Sequence, residues 1–213
     1  MNIIFDLDGT LTDPKDGICR SVADAFEKMA LPVPPESVLR TFIGPPLQDS
    51  FQATIPGATV ADVERAIALY RERFAAVGLF ENRVYESIPQ VLETLRGLGH
   101  QLLVATSKPW VFAEQILDHF ELSPFFSFIH GSEWDGRRSH KADLLAYVLQ
   151  KRGLAAEQCL MVGDRHYDVA GALANGIAAV GVSWGYGTPT ELEAAGATVV
   201  IHEPVQLVEL VFK

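Results

Sequence analysis

Residues 4–12 read "IFDLDGTLT". A short apolar run, led by Asn2, Ile3, Ile4 and Phe5, ends in two aspartates two residues apart and then a glycine. A β-strand sends alternate residues to opposite faces, so Asp6 and Asp8 would leave it on the same side. Burying one carboxylate costs free energy, and burying two together costs more. The place where such a pair is tolerated is the carboxyl end of a central strand, where it opens into a crevice. Folding gains little from the pair; metal binding or chemistry gains much.

The rest of the chain supplies that sheet. From about residue 84 apolar strand-like runs alternate with helical patterns. "QLLVATS", "FSFIHG", "CLMVGD", "IAAVGVS" and "ATVVI" read as strands. The stretches "ESIPQVLETLRGLG", "PWVFAEQILDHF", "KADLLAYVLQKRG", "DVAGALANG" and "PVQLVELVF" read as helices. Short strands alternating with helices predict an α/β fold, a parallel sheet covered on both faces. Between about 13 and 83 the texture is different. Ile18, Val22, Ala25, Phe26 and Met29 repeat at helical spacing, and Val63, Ile67, Leu69, Tyr70 and Phe74 are expected to supply the buried stripe of a second helix. The expected design is discontinuous: residues 1–12 and 84–213 form one core, and 13–83 form an all-helical domain inserted after the first strand.

The 213 residues include 27 acidic and 17 basic side chains, for a formal net charge of −10. That balance argues against a nucleic-acid polymer or an anionic membrane as partner. Cys19 and Cys159 fit neither a metal spacing nor a disulfide framework. No secretory signal pattern or run of transmembrane length is present, and a cytoplasmic protein is expected.

Polar residues gather at the predicted strand exits. The first exit carries Asp6, Asp8, Gly9 and Thr10; the second, Thr106, Ser107 and Lys108. The third is followed by "GSEWDGRRSH" and Lys141, and the fourth by Gly163, Asp164 and, one turn on, Asp168. In an open parallel sheet these ends share one crevice. Carboxylates, hydroxyls and a lysine together describe an Mg²⁺ site beside an oxyanion site. Each piece also has an ordinary reading. Asp8-Gly9 is a common turn dipeptide. Thr106 or Ser107 could cap the helix near Pro109. Asp164 and Asp168 suit a helix start. Lys141 does not: a cation in a first helical turn opposes the macrodipole and is easier to explain if it faces an anion.

The four exits together resemble the haloacid dehalogenase superfamily. "FDLDGT" is similar to its first signature, Thr106 to its second-motif hydroxyl, Lys141 to its third-motif lysine and "VGDRHYD" to its acidic fourth motif. The inserted helices resemble that superfamily's type C1 cap. "FIGPP", "VATSKP" and "GALANG" look closest to the phosphoglycolate phosphatase-like branch. The resemblance implies a Rossmann-like, three-layer core and an Mg²⁺-dependent phosphomonoester hydrolase. Asp6 would be the nucleophile forming an aspartyl-phosphate, and Asp8 the general acid and then base. Thr106 and Lys141 would hold phosphoryl oxygens. Asp6, the Asp8 carbonyl, Asp164 and, directly or through water, Asp168 would hold the metal. Gly9 and Ser107 could join through their amides. The residues "GTLTDPKDG" after Asp8 and Arg165 after Asp164 depart from many relatives.

Candidates for substrate selection are Arg40 and Gln48 in the insert, Arg137 and Arg138 in the "GRRSHK" run, and Arg165. For the arginine pair a solvated charged loop stands beside local focusing of an anionic ester. Trp110, Trp134 and Trp184 are read as packing residues or as nucleobase stackers. The expected substrate is a small anionic phosphate ester, with phosphoglycolate first. The alternatives are a 5'-nucleotidase, a pyrophosphate or phosphotyrosine phosphatase, a sugar-phosphate mutase, and a catalytically silent metabolite-binding or interaction protein. A monomer or small homo-oligomer fits a chain that completes its own site.

Overall fold

A computed structural model describes residues 1–211. The chain divides into two compact units, Met1–Asp13 with Val84–Lys213, and Pro14–Arg83.

The first unit is built on β1 (Asn2–Phe5), whose Ile3, Ile4 and Phe5 are at most 1% exposed. A strand that apolar on both faces belongs in the middle of a covered sheet. β1 pairs in parallel with β4 (Gln101–Pro109) on one side and β6 (Cys159–Gly163) on the other. Adding β5 (Phe128–Ser132), β7 (Ala178–Val182) and β8 (Val199–Ile201) gives a six-stranded sheet in the order β5-β4-β1-β6-β7-β8. The expected parallel α/β core is borne out. One face, carrying Ile4, Leu103, Ala105, Met161 and Ala179, packs on α7 (Lys141–Arg152), α8 (His166–Leu173) and α9 (Pro189–Ala194). The alternating residues face the other way, where α5 (Ile88–Gly97) and α6 (Trp110–His119) pack on β4. α10 (Val205–Val211) packs on α5. Phe212, at the end of the expected last helix, lies outside the described residues. Among them, no helix is long and apolar enough to cross a membrane.

The second unit is helical. α1 (Lys15–Lys28) buries Ile18, Val22, Ala25 and Phe26, as its spacing predicts. It is followed by a single turn, α2 (Glu36–Leu39), then α3 (Leu47–Thr54) and α4 (Val60–Arg73). Thr59 and Asp62 form a capping box at the start of α4. Its buried stripe is Val63, Ala66 and Tyr70, with Ile67 and Leu69 only partly covered, a correction to the expected stripe. The core of this unit is aromatic: Phe51 meets Phe42 edge-on at 4.9 Å, and Tyr70 stacks on Phe74 at 5.2 Å. Thr12–Asp13 (β2) and Arg83–Val84 (β3) pair as a two-stranded ribbon where the chain passes from one unit to the other and returns.

Candidate active site

β1 delivers Asp6 at its carboxyl end, with Asp8 beyond it. The backbone then folds tightly, Leu11 and Thr12 N–H both donating to the Leu7 carbonyl at 2.9 and 3.1 Å. The turn reading of Asp8-Gly9 therefore holds alongside the burial of Asp8, which is 7% exposed. Gly9 has φ +83°, and a Cβ there would stand 2.2 Å from Asp164 Oδ2. Only glycine fits both demands.

The strand exits bring Asp6, Asp8, Thr106, Lys108, Lys141, Asp164 and Asp168 into buried positions, none more than 9% exposed. Lys141 Nζ lies 2.8 Å from Asp6 Oδ1, 2.7 Å from Asp168 Oδ1 and donates to the Ala105 carbonyl at 2.8 Å. As the first residue of α7 it overcomes the unfavourable dipole through these anionic partners. Burial alone would lower its pKa; Asp168 and Asp6 more than reverse that and raise it. Asp168 also accepts the Arg165 N–H at 3.1 Å, so it starts α8 as well as pairing with Lys141.

Lys108, present in the sequence but given no role there, pairs with Asp8 Oδ2 at 2.8 Å. β4 runs on to Pro109, with its register against β5 broken between Thr106 and Pro109. That irregularity carries Lys108 into the site. It also corrects the capping expectation for Thr106 and Ser107: α6 starts after Pro109 without a side-chain cap. The Thr106 hydroxyl oxygen instead accepts the Lys108 N–H at 3.3 Å, leaving its own O–H to donate. Ser107 is half-buried beside it.

A second set of residues surrounds Asp164 from a distant loop. "WGYG", residues 184–187, wraps Asp164. The Tyr186 N–H donates to Asp164 Oδ2 at 2.7 Å, and Thr10 Oγ1 donates to Asp164 Oδ1 at 3.5 Å. Trp184 Nε1–H donates to the Thr10 carbonyl at 3.0 Å, and the Tyr186 hydroxyl donates to Asp13. A Cβ at Gly185 would fall 2.3 Å from the Gly9 carbonyl and 2.4 Å from Asp164 Oδ2; one at Gly187 would fall 2.0 Å from the Asp164 carbonyl. The spaced glycines were the available signal: they mark close backbone approach.

Asp6, Asp164 and Asp168 each offer an oxygen within 4.8 Å of the others. Four buried carboxylates face two buried ammonium groups, so two negative charges stay unmatched when all are ionised. Burial, then the neighbouring carboxylates, raises Asp164 well above the usual range. Asp168 is pushed up to about 6, by burial against the pull of Lys141. Asp8 is raised too, again chiefly by burial, with Lys108 opposing. Asp8 Oδ1 is buried with no hydrogen-bond partner. Hard oxygens, excess negative charge and an orphaned carboxylate oxygen fit a divalent cation of the Mg²⁺ type.

The selectivity candidates are placed differently. Arg165 Nε is held by Glu191 at 3.0 Å, and His166 donates its N–H to the same oxygen. Arg137 pairs with Asp135 at 2.8 Å and Arg138 with Glu133. The charges expected to focus an anion are thus each matched locally. Arg40 and Gln48 lie in the helical unit; Arg40 pairs with Glu36 at 2.7 Å, and Gln48 is exposed.

Residues 3–182 match the model of the haloacid dehalogenase-like hydrolases. The chain belongs to that family. A protein named 5'-nucleotidase from Pseudomonas aeruginosa is 51% identical over 193 residues, 91% of this chain and 87% of its own length. Tyrosine-protein kinase PtkA from Mycobacterium tuberculosis is 40% identical over 94% of this chain and 68% of its own. A phosphoglycolate phosphatase from Pseudomonas putida is 28% identical over 94% and 76%. Among solved structures, a predicted phosphatase from Clostridium acetobutylicum superposes with a TM-score of 0.95 at 41% identity, covering 99% of this chain and 97% of that one.

Proposed function

We propose that this chain is an Mg²⁺-dependent phosphomonoester hydrolase whose substrates are nucleoside 5'-monophosphates. The observation that carries the chemistry is Lys141 bridging Asp6 and Asp168 beside the buried oxygen cluster. The 51% identity to the Pseudomonas aeruginosa 5'-nucleotidase favours nucleotides over phosphoglycolate, for which the named relative is 28% identical.

The residues divide the work as follows. The Asp6 carboxylate attacks phosphorus, and the bond from phosphorus to the leaving oxygen breaks. Lys141, fixed from two sides, keeps Asp6 oriented and offsets its repulsion of the incoming phosphate. The Thr106 hydroxyl donates to a phosphoryl oxygen. Asp8, whose raised pKa favours the protonated acid, gives its proton to the leaving oxygen. As a carboxylate it then takes a proton from water, which attacks phosphorus and breaks its bond to Asp6, releasing phosphate. Asp6, Asp164 and the Asp8 carbonyl would hold Mg²⁺, which when bound supplies positive charge to the phosphoryl oxygens. Both Asp168 oxygens are engaged, one by Lys141 and one by the Arg165 N–H, which suits it to orienting Lys141. We assign residues 14–83 the part of a substrate-selecting cap, with Arg40 and Gln48 its candidate contacts.

The test is phosphate release from a panel of AMP, other nucleoside monophosphates, phosphoglycolate, pyrophosphate and a phosphotyrosine peptide, with Mg²⁺, with EDTA and with Asp6→Asn. Turnover of the nucleotides that EDTA and Asp6→Asn both abolish is expected. A higher kcat/KM on phosphoglycolate would overturn the nucleotide assignment. Turnover surviving in Asp6→Asn would overturn the mechanism.

A further inference from the structure

The α/β unit exposes three large aromatic side chains among its described residues: Trp110 at 40%, Trp134 at 53% and Tyr167 at 39%. Each follows the carboxyl end of a strand. Trp110 opens α6 after β4, Trp134 lies just beyond β5, and Tyr167 is in the first turn of α8 after β6. That edge of the sheet is the one that carries Asp6, Thr106 and Asp164. Partly exposed aromatic rings are ordinary on a protein surface, but these three share the functional edge, where a flat ring face can meet a flat ligand group.

Trp134 is the most exposed of the three, and its loop holds it firmly. The Glu133 N–H donates to the Arg137 carbonyl at 2.8 Å, and the Gly136 N–H returns to the Glu133 carbonyl at 3.0 Å. Arg138 pairs with Glu133 and lies 4.1 Å over the Tyr147 ring. Arg138 takes φ +60°, a conformation costly for a side chain that size and retained only where its surroundings enforce it. The indole is backed edge-on by Phe112, with ring centroids 5.4 Å apart. The strand before the loop reaches the site: a Cβ at Gly131 would sit 2.4 Å from the carbonyl of Lys108, the partner of Asp8. The loop itself ends at Lys141. The platform is thus built into the segment that joins the acid's partner to the phosphoryl-binding lysine.

We infer that Trp134, on its fixed loop and backed by Phe112, is the stacking surface for the base of a nucleoside 5'-monophosphate. This rests on the nucleotidase reading above and adds the residue that distinguishes a nucleotide from the bare sugar phosphate. A rigid indole binds a flat base through its π-face with little loss of side-chain freedom and little dependence on base identity.

Ribose 5-phosphate has the same phosphoryl group and sugar as AMP and no base. The decisive measurement is kcat/KM on AMP and on ribose 5-phosphate for the Mg²⁺-loaded wild type, Trp134→Ala and Trp134→Phe, with circular dichroism to verify folding. The wild type's preference for AMP over ribose 5-phosphate should fall about tenfold in Trp134→Ala, through KM, and recover in large part in Trp134→Phe. An unchanged preference in Trp134→Ala, with AMP still hydrolysed by the wild type, overturns the stacking surface and leaves the nucleotidase reading standing. A wild type that hydrolyses ribose 5-phosphate and ignores AMP overturns both.

Discussion

The main-chain N–H of Tyr186 holds Asp164 Oδ2 at 2.7 Å from a position twenty-two residues along the chain. An aspartate placed at the end of β6 is thereby oriented by a loop that follows β7. With Thr10 on its other oxygen, Asp164 has little freedom left. A metal ligand gains affinity from such restraint, because ordering it on binding costs nothing further.

Gly185→Ala should therefore weaken Mg²⁺ binding by about tenfold or more, the range seen when the partners of a metal ligand are disturbed. The added methyl meets the Gly9 carbonyl and Asp164 Oδ2, neither of which can step aside without moving the ligand. Tyr186→Phe keeps the N–H and drops only the bond to Asp13, and should bind Mg²⁺ within about threefold of wild type. Titration calorimetry on the folded variants decides. Wild-type affinity in Gly185→Ala would remove the loop from the site.

Lys108 lowers the pKa of Asp8 against the stronger effect of burial. Removing its charge in Lys108→Met raises that pKa further. The acid must be protonated to serve the leaving group, so the alkaline limb of the kcat/KM profile should move to higher pH. The rate at the optimum should fall as well, since Lys108 fixes the carboxylate at 2.8 Å. A pH profile of the variant superimposable on the wild type's would show that Asp8 is not the titrating acid.

His130 bears on stability. It is 7% exposed, accepts from Arg152 Nε at 3.0 Å and has its pKa lowered to about 4, by burial first and then by Arg152 and Arg138. The unfolded chain, near 6.5, binds the proton more readily than the folded one. Stability from this residue is complete above about pH 6.5 and is lost as pH falls towards 4, on the order of 3 kcal/mol in all. Asp168, with a raised pKa, works in the opposite direction over part of the same window in metal-free protein. Urea unfolding of wild type against His130→Gln separates the two: the gap between them should narrow as pH drops from 7 to 4. A constant gap would remove His130 as the cause.

The strands of the sheet and the acidic positions at their ends were legible because both obey short rules. Short apolar runs such as 3–5 and 159–162, set between helical patterns, fit covered strands, and Asp6 and Asp8 share a face by the period of two. Lys141 was readable as a charge in the wrong place for its helix. Lys108 was not, because the register break that turns it towards Asp8 has no simple signature in "TSKPW". The tie from Tyr186 to Asp164 runs through a backbone N–H, which leaves no trace in residue type; only the flanking glycines record it. The ion pairs that neutralise Arg137 and Arg165 are likewise products of folding, since Glu191 reaches Arg165 across twenty-six positions.

The place of β1 between β4 and β6 also fixes an order of events during synthesis. Of the six strands of the sheet, β1 is translated first and waits longest for its second neighbour, since Cys159–Gly163 follows more than a hundred and fifty residues later. The contiguous helical unit, Pro14–Arg83, is fully emerged long before then and can fold as its own unit. Until β6 arrives, Ile3, Ile4 and Phe5 belong to a strand with one edge unpaired. The nascent protein thus carries Asp6, the proposed nucleophile, at the end of a strand with an open edge, and a chain truncated before Cys159 keeps that edge open.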